Sequence, residues 1–405
     1  MTIIVAIFLV VYLGMILGTL PGLKVNRAAI ALLGAIALMA AGEIDQQQAV
    51  ASINFGTIGL LFGLMLVAAN FDMAGLYALL SQRMAVLTMG PRQFLALVVA
   101  LCGVMAALLT NDVVAVALTP VLLNLCIARR LNPIPYLLAL ACSVNAGAIA
   151  TVIGSPQNML IGQHFGLSFT HFMLYTAVPA VATLAIVWGV IALQYRDAWQ
   201  LSAKVAAKPP KERPFDRWEA VKGMVVVAVL VAMFVLTDWP RGQVALAAGG
   251  IVLANAHFKS RKMLHRVDWE LLVLFIGLFI VNGALHQTGL PQRWIDLLKA
   301  DGFALADPVV LFLVTAVLSD VVSNVPSVML LLPFAGDAFS GPVMAVASGL
   351  SSNLIVIGSL ASIIVVDAAG ARGLKISFWD FARSGIPITM LSMLLAAGWL
   401  WLLQP

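Results

Sequence analysis

Two polar breaks inside long apolar segments carry the residue types best suited to binding a solute. The first break is Thr110-Asn111-Asp112, within the segment 102–120, and the second is Ser323-Asn324, within the segment 316–333. Asn324 follows Asn111 by 213 residues, so the two breaks occupy corresponding places in the two halves of the chain. A polar break that recurs in this way is typical of the binding site of a membrane transporter.

Two further breaks are Gly154-Ser155-Pro156-Gln157-Asn158 and Asn353 with Gly358-Ser359. Gly and Pro unwind helices, and the unwound backbone must then be buried in protein or line a water-filled cavity. Helix N-termini beside such a gap attract oxygen-rich solutes, and Asn, Gln, Ser and Thr add neutral donors and acceptors. The residues predicted to bind substrate are Thr110, Asn111, Gly154, Ser155, Gln157, Asn158, Ser323, Asn324, Asn353, Gly358 and Ser359.

None of the four breaks contains Lys or Arg. An anion held there would rely on helix ends, amides or a co-bound cation, whereas a neutral hydroxylated solute needs no such help. Asn145 lies in another apolar segment, where its amide either lines the cavity or bonds between helices.

Two carboxylates lie at predicted membrane depth, where an ionisable side chain is costly and usually functional. Asp112 and Asp320 are therefore predicted to couple transport to an ion or a proton. The alternative for Asp112 is a helix N-cap, because it follows a break and precedes an apolar run. Asp320 lies four residues before Asn324, a helical spacing that would place both on one face; its alternative is an ion pair or an aqueous vestibule.

Composition excludes most other classes of protein. Of 405 residues, 62% are hydrophobic and only 10% are charged, against about 25% charged in soluble proteins. The net charge of +5 reflects Lys and Arg between apolar runs, so no nucleic-acid partner is expected. The motifs HExxH and GxSxG are absent, which argues against an enzyme. Three cysteines (Cys102, Cys126 and Cys142) within apolar runs predict neither a disulfide framework nor a metal site.

The apolar runs fall into two sets of seven, separated by the polar stretch 196–217. The segment 55–64 resembles 269–278 at a shift of 214 residues, which indicates an internal duplication. We therefore predict an all-α polytopic membrane protein with two inverted-topology repeats, about ten transmembrane helices, two re-entrant hairpins and broken helices. The predicted parts are a first repeat at 1–195 (hairpin 93–127, broken helix 135–165), a cytoplasmic linker at 196–217, and a second repeat at 218–405 (hairpin 308–335, broken helix 343–366).

The basic residues predict the orientation of the chain in the membrane. The segments 21–27, 72–92, 128–134, 196–222, 258–267 and 370–384 contain 20 of the 23 Lys and Arg residues. Because cytoplasmic loops are rich in Lys and Arg, these segments are expected inside, with both termini outside. The expected location is the cytoplasmic (inner) membrane, with multiple passes. The two repeats then enter from opposite faces, which favours a carrier over a channel.

The breaks also resemble motifs of a known superfamily. Thr110-Asn111-Asp112 followed by Leu118-Thr119-Pro120 is similar to the TND…LTP signature of arsenite permeases. The segment 154–158 resembles the G-[ND]-P-x-N break, 323–328 resembles N-x-P-[ST]-V, and 358–362 resembles GSLAT. The chain is thus identified as a member of the ion-transporter superfamily, which holds arsenite permeases, citrate-transporter-like and divalent-anion symporters, and D-type sodium/proton antiporters.

The resemblance implies a secondary active transporter, most similar to those that export arsenite or antimonite in exchange for protons, with Asp112 as the proton-linked group. Divalent-anion symporters carry two Ser-Asn-Thr triplets, and neither triplet here ends in Thr. The alternatives are a sodium-coupled anion or dicarboxylate symporter and a sodium/proton antiporter with Asp112 and Asp320 as cation ligands. No cofactor is expected beyond the coupling proton or sodium ion. The expected partners are a small inorganic or organic solute, the lipid bilayer, a soluble ATPase on the cytoplasmic face and a second copy in a homodimer.

Overall fold

The computed structural model describes residues 2–18, 24–200, 215–300 and 304–404. Most of the predicted linker 196–217 lies outside these residues. The described part of the chain is built from α-helices and contains no β-strand, with a single isolated bridge between Leu131 and Gln200. This confirms the predicted all-α membrane fold.

Ten helices precede the linker and ten follow it in the described part of the chain. The first ten are α1 (Thr2–Leu17), α2 (Arg27–Ala40), α3 (Gln46–Ser52), α4 (Phe55–Met73), α5 (Leu76–Ala85), α6 (Pro91–Leu109), α7 (Asn111–Ala128), α8 (Pro133–Ala148), α9 (Pro156–His164) and α10 (Phe169–Gln194). The second ten are α11 (Arg217–Leu236), α12 (Arg241–Leu253), α13 (Ser260–Leu264), α14 (Trp269–Gln287), α15 (Leu290–Ala300), α16 (Pro308–Val322), α17 (Asn324–Leu331), α18 (Ser340–Ser351), α19 (Leu360–Gly370) and α20 (Phe378–Leu402).

Seven described helices are long and apolar enough to cross a membrane, namely α4, α6, α7, α10, α11, α14 and α20. Shorter apolar helices, among them α1, α2, α8, α12, α16 and α19, complete the bundle. The arms of the first predicted hairpin, α6 and α7, have 19 and 18 residues. Since about 20 residues span the hydrocarbon core, their length fits either a hairpin or two spans, and the hairpin stays a prediction.

The backbone is strained at the same point of both halves. Thr110, between α6 and α7, has φ 81° and ψ 142°, and Ser323, between α16 and α17, has φ 82° and ψ 158°. Residues with a side chain rarely adopt this region, which costs about 1–3 kcal/mol each and concentrates at functional sites. The two breaks predicted from polarity are therefore real interruptions of helix.

The centre of the molecule is formed by α8 and α18. Every residue of α18 is buried, and so is every residue of α8 except Ile134. A helix that is apolar or small on all sides belongs in the interior. Each of the two continues through a break into a short second helix, α9 after Gly154-Ser155 and α19 after a 3-10 turn at Val356–Gly358.

Candidate functional site

The polar breaks meet around Asn145, in the middle of α8. Asn145 Oδ1 accepts hydrogen bonds from Asn111 Nδ2 at 3.3 Å and from Ser359 Oγ at 2.9 Å, and its Nδ2 donates to Asn353 Oδ1 at 3.0 Å. The backbone N–H of Asn111 donates to the carbonyl of Gly154 at 2.9 Å. These side chains are buried. The network joins three of the four breaks and settles the open alternative for Asn145, which bonds between helices.

The remaining break, at Ser323-Asn324, is fixed from α18. Asn324 Oδ1 accepts a hydrogen bond from Ser352 Oγ at 2.8 Å, and the Asn324 carbonyl accepts one from Ser327 Oγ at 2.8 Å. Ser352 immediately precedes Asn353 of the Asn145 network. All four breaks are thus tied to α8 and the end of α18.

Two predicted substrate-binding residues instead hold the broken backbone of α8. Asn158 Nδ2 donates to the carbonyls of Ala148 and Thr151, each at 3.0 Å, where α8 ends. A Cβ on Gly154 would lie 2.2 Å from the Ala148 carbonyl oxygen, so only glycine fits there. Their geometry positions the site, because free backbone groups at membrane depth need such partners.

A central cavity of about 700 Å³ lies beside this network. It is lined by part of the predicted set: Asn111, Asp112, Gln157, Ser323, Asn324 and Ser359. The other six predicted substrate-binding residues are not part of the lining: Thr110, Gly154, Ser155, Asn158, Asn353 and Gly358. The first residues of α7 and α17 line the cavity, as do Pro156 of α9 and Leu360 of α19. Four helix N-termini therefore bring their partial positive charge to this space.

The charged side chains that line the central cavity are mostly acidic. Asp112, Asp268, Glu270 and Asp367 line it, against one cation among the described lining residues, Arg27. Asp268 caps α14 by accepting from the Leu271 N–H at 3.0 Å, and Glu270 accepts from Asn26 Nδ2 at 2.8 Å. A cleft whose charged side chains are mostly carboxylates repels anions and favours cations and neutral solutes.

Asp112 stands between the central cavity and a smaller one of about 350 Å³. The smaller cavity is lined by Thr110, Tyr77 and Asp268, and by Asp72, whose carboxylate accepts a hydrogen bond from Arg266 Nε. The carboxyl of Asp112 is partly buried and lines both spaces. A group in this position can exchange a proton with water from either cavity.

Asp320 is not brought to the central cavity. Helical spacing predicted it beside Asn324, but the strained Ser323 turns the chain between the two residues. Asp320 instead lines a separate groove of about 400 Å³ between α16, α18 and α20. A Cβ on Gly358 would lie 2.8 Å from Asp320 Oδ1, so the carboxylate lies against the bare backbone of that glycine.

The described residues hold no group of three or more His, Cys, Asp and Glu side chains suited to a metal ion. Cys102, Cys126 and Cys142 are buried free thiols, and none of them is among the described residues that line the central cavity. A thiolate site for a soft metalloid is therefore not part of that cavity.

Residues 10–341 match the family model described as CitMHS, citrate transporter. The "46 kDa membrane protein" of Mycobacterium leprae is 27% identical, with 94% of each chain covered. The inner membrane protein YbiR of Escherichia coli is 30% identical over 84% of this chain and 86% of its own, and the silicon efflux transporter LSI3 of Oryza sativa is 27% identical over 92% of each.

A solved structure, the YdaH transporter of Alcanivorax borkumensis, aligns with a TM-score of 0.57 and 15% identity, covering 99% of this chain and 96% of that one. At this identity the likeness shows the fold alone. The family model covers most of the chain, and the family is one of transporters rather than enzymes, as the motifs predicted. The chain is therefore a multi-pass membrane transporter that belongs to the CitMHS citrate transporter family, within the ion-transporter superfamily.

Proposed function

We propose that this transporter exports a small, uncharged hydroxylated solute, with arsenite or antimonite as the specific candidates, in exchange for protons. The observation that carries the proposal is the lining of the central cavity, where neutral amides, hydroxyls and helix N-termini stand beside carboxylates. A hydroxylated solute both donates and accepts hydrogen bonds, so it can use both kinds of group. A multiply charged anion would face three more carboxylates than cations.

One of the relatives is consistent with this class of solute, because it is a silicon efflux transporter. Silicic acid and arsenous acid are both small, uncharged, hydroxylated molecules at neutral pH. They differ in the number and geometry of their hydroxyl groups. The amides of Asn111, Asn324 and Gln157 would have to distinguish the two solutes by this difference. Silicic acid therefore belongs in any test beside arsenite and antimonite.

We assign the proton-linked role to Asp112. Its carboxyl lines the central cavity at the first turn of α7, next to Asn111, and a second cavity reaches it from the side of Arg266 and Asp72. Protonation of a carboxyl at this place removes a negative charge from the cavity wall. The affinity for the solute then depends on the proton, which is the requirement for coupled exchange.

The predicted orientation gives the proposal a direction. The lining of the central cavity includes Asn26, Arg27, Asp268, Glu270 and Asp367, which lie in or beside segments whose Lys and Arg residues predict a cytoplasmic location. This predicted orientation supports loading of the solute from the cytoplasm, as export requires.

The test is transport by the purified chain in proteoliposomes with an acidic lumen. We expect arsenite or antimonite to accumulate in the lumen in proportion to the imposed pH gradient, and accumulation to stop when an ionophore dissipates it. Accumulation of citrate or another dicarboxylate on a sodium gradient, with none of arsenite, antimonite or silicic acid on a pH gradient, would replace this proposal by sodium-coupled symport. Proton release triggered by sodium alone would instead indicate a sodium/proton antiporter.

A further inference from the structure

The groove that Asp320 lines, called here the lateral groove, lies between α16, α18 and α20 and is separate from the central cavity. Its outer rim is apolar and exposed: Val317 is 65% accessible, Leu394 is 72% and Trp401 is 70%. In a polytopic membrane protein such a face is turned to lipid. The lateral groove therefore opens sideways into the bilayer.

The corresponding place in the first half of the chain is closed. There, Gly103 of α6 lies directly against α10, since a Cβ on it would come within 2.6 Å of Leu184 Cδ1. Ala316 of α16 follows Gly103 by 213 residues and lines the lateral groove, with α20 on the opposite wall. At this position the two halves therefore differ: α6 packs directly against α10 at Gly103, whereas Ala316 of α16 lines a groove.

A few polar side chains interrupt the apolar lining of the lateral groove. Among the described residues that line it, Asp320 is the one ionisable side chain. Asp320 Oδ1 is buried and finds no hydrogen-bond partner within the described part of the chain. On the opposite wall, Thr389 is 1% exposed, and its Oγ1 likewise finds no partner among those residues. Buried polar atoms without a partner are costly, and two such oxygens in the lining of one groove favour a ligand that donates hydrogen bonds.

We propose that the lateral groove is a second binding site, which takes a hydrophobic amine from the bilayer. The protonated amino group would be held by Asp320 and Thr389, and the apolar body would lie between α16 and α20. Charge complementarity selects this ligand, because an ammonium group has three donors and no acceptor, and the two free side-chain oxygens accept. A plain acyl chain would leave both oxygens unpaired, and a carboxylate would face Asp320 with like charge.

The test uses 1-adamantylamine, a compact hydrophobic amine, and its uncharged isostere 1-adamantanol. Binding of each radiolabelled compound is measured on the full chain in phosphatidylcholine nanodiscs, without any ion gradient, so the result is independent of the proposed transport. We expect saturable binding of the amine. Asp320→Asn should weaken binding of the amine at least about tenfold, equivalent to about 1.4 kcal/mol. Binding of the alcohol should not change.

Two further variants locate the site. Ala316→Trp, which fills the lateral groove, should abolish binding of both compounds, whereas Val225→Trp on the exposed face of α11 should leave both unchanged. If Asp320→Asn fails to fold, Thr389→Val is used in its place and must weaken binding of the amine.

Equal binding of amine and alcohol in the wild-type chain and in Asp320→Asn would overturn the proposal in favour of a simple acyl-chain groove. A change of oligomeric state in Ala316→Trp would overturn it in favour of a contact between two copies of the chain.

Discussion

Gly63 on α4 and Gly277 on α14 each pack their backbone directly against a helix from the other half of the chain. A Cβ on Gly63 would lie 2.1 Å from the carbonyl oxygen of Ala245 on α12, and a Cβ on Gly277 would lie 2.6 Å from the carbonyl carbon of Ala31 on α2. Gly277 follows Gly63 by 214 residues, and Ala245 follows Ala31 by 214. The two crossings are therefore one contact made twice, and each half of the chain completes the other.

Gly63→Ala and Gly277→Ala should each destabilise the protein by about 1–3 kcal/mol, because the new methyl group meets fixed backbone. Gly250→Ala on α12 is the matched control, since nothing lies within 4 Å of its Cβ position. That change should be neutral or slightly stabilising, because Ala is the better helix former. Thermal unfolding in detergent measures all three, and a Gly63→Ala variant as stable as Gly250→Ala would contradict the crossing.

The sequence predicted this duplication from the likeness of 55–64 to 269–278, but it could not predict the crossing. Helices α4 and α14 are apolar around most of their circumference, so the pattern identifies no single contact face. The close approach at Gly63 could be recognised only once α12 was in place beside it.

The candidate site was likewise predicted only in part from the sequence. Asn and Asp in an apolar run stand out, so Asn111, Asp112 and Asn324 were found from the sequence and do line the central cavity. What the sequence could not give is the direction of the chain at a break. Because Ser323 has a positive φ, the chain turns there and Asp320 lines the lateral groove. Asn158, which was predicted to bind substrate, donates hydrogen bonds to backbone carbonyls.

The strain at the two breaks leads to a second prediction. Replacing Thr110 or Ser323 by Gly should stabilise the protein by up to about 1–3 kcal/mol, since Gly adopts positive φ without the steric cost. Thr119→Gly, inside α7, is the control and should destabilise by about 2 kcal/mol or more, because it lowers helix propensity, leaves a small cavity and removes the hydrogen bond from Thr119 Oγ1 to the Ala115 carbonyl. Unfolding curves in detergent decide the sign. Destabilisation by Thr110→Gly equal to that of Thr119→Gly would show that the break stores no strain.

Asn145 is expected to hold the site together. Asn145→Leu removes the partners of Asn111 Nδ2, Ser359 Oγ and Asn353 Oδ1, and each buried group left unpaired costs about 1–3 kcal/mol. The unfolding temperature and the affinity for the transported solute should both fall.

Ser143→Ala, on the same helix, is the control for Asn145→Leu. Its Oγ is buried without a hydrogen-bond partner among the described residues, so its removal should be neutral or stabilising. Equal losses in the two variants would mean that α8 tolerates no change at all and that the network itself has no special role.

A titratable pair lies at the start of α11, outside the spans. His257 Nδ1 and Asp216 Oδ2 are 2.6 Å apart, and this hydrogen bond raises the pKa of His257 above its ordinary 6.5 and lowers the pKa of Asp216 below its ordinary 3.8. The contribution of His257 to stability is present below pH 6.5 and is lost as the pH rises through its raised pKa. The contribution of Asp216 is present above pH 3.8 and is lost as the pH falls through its lowered pKa.

Asp216→Asn should return the pKa of His257 towards 6.5 while it preserves the helix cap, because an Asn oxygen can still accept from the Glu219 N–H. Histidine hydrogen–deuterium exchange followed by mass spectrometry against pH reads the titration of each histidine separately. The other four histidines serve as the internal control. An unchanged His257 titration in the variant would show that the pair does not form in solution.

The two membrane carboxylates provide the sharpest prediction about coupling. In proteoliposomes, Asp112→Asn should reduce the accumulation driven by a pH gradient by about 100-fold or more, because a neutral amide binds no proton. The variant should still exchange labelled for unlabelled solute, because the amide preserves the shape of the cavity wall. Asp320→Asn is the matched control: the same change on a carboxylate outside the central cavity should leave both activities intact. Loss of both activities in Asp112→Asn would make it a substrate ligand rather than a proton carrier. Loss of pH-driven accumulation in Asp320→Asn would mean that Asp320 takes part in proton coupling.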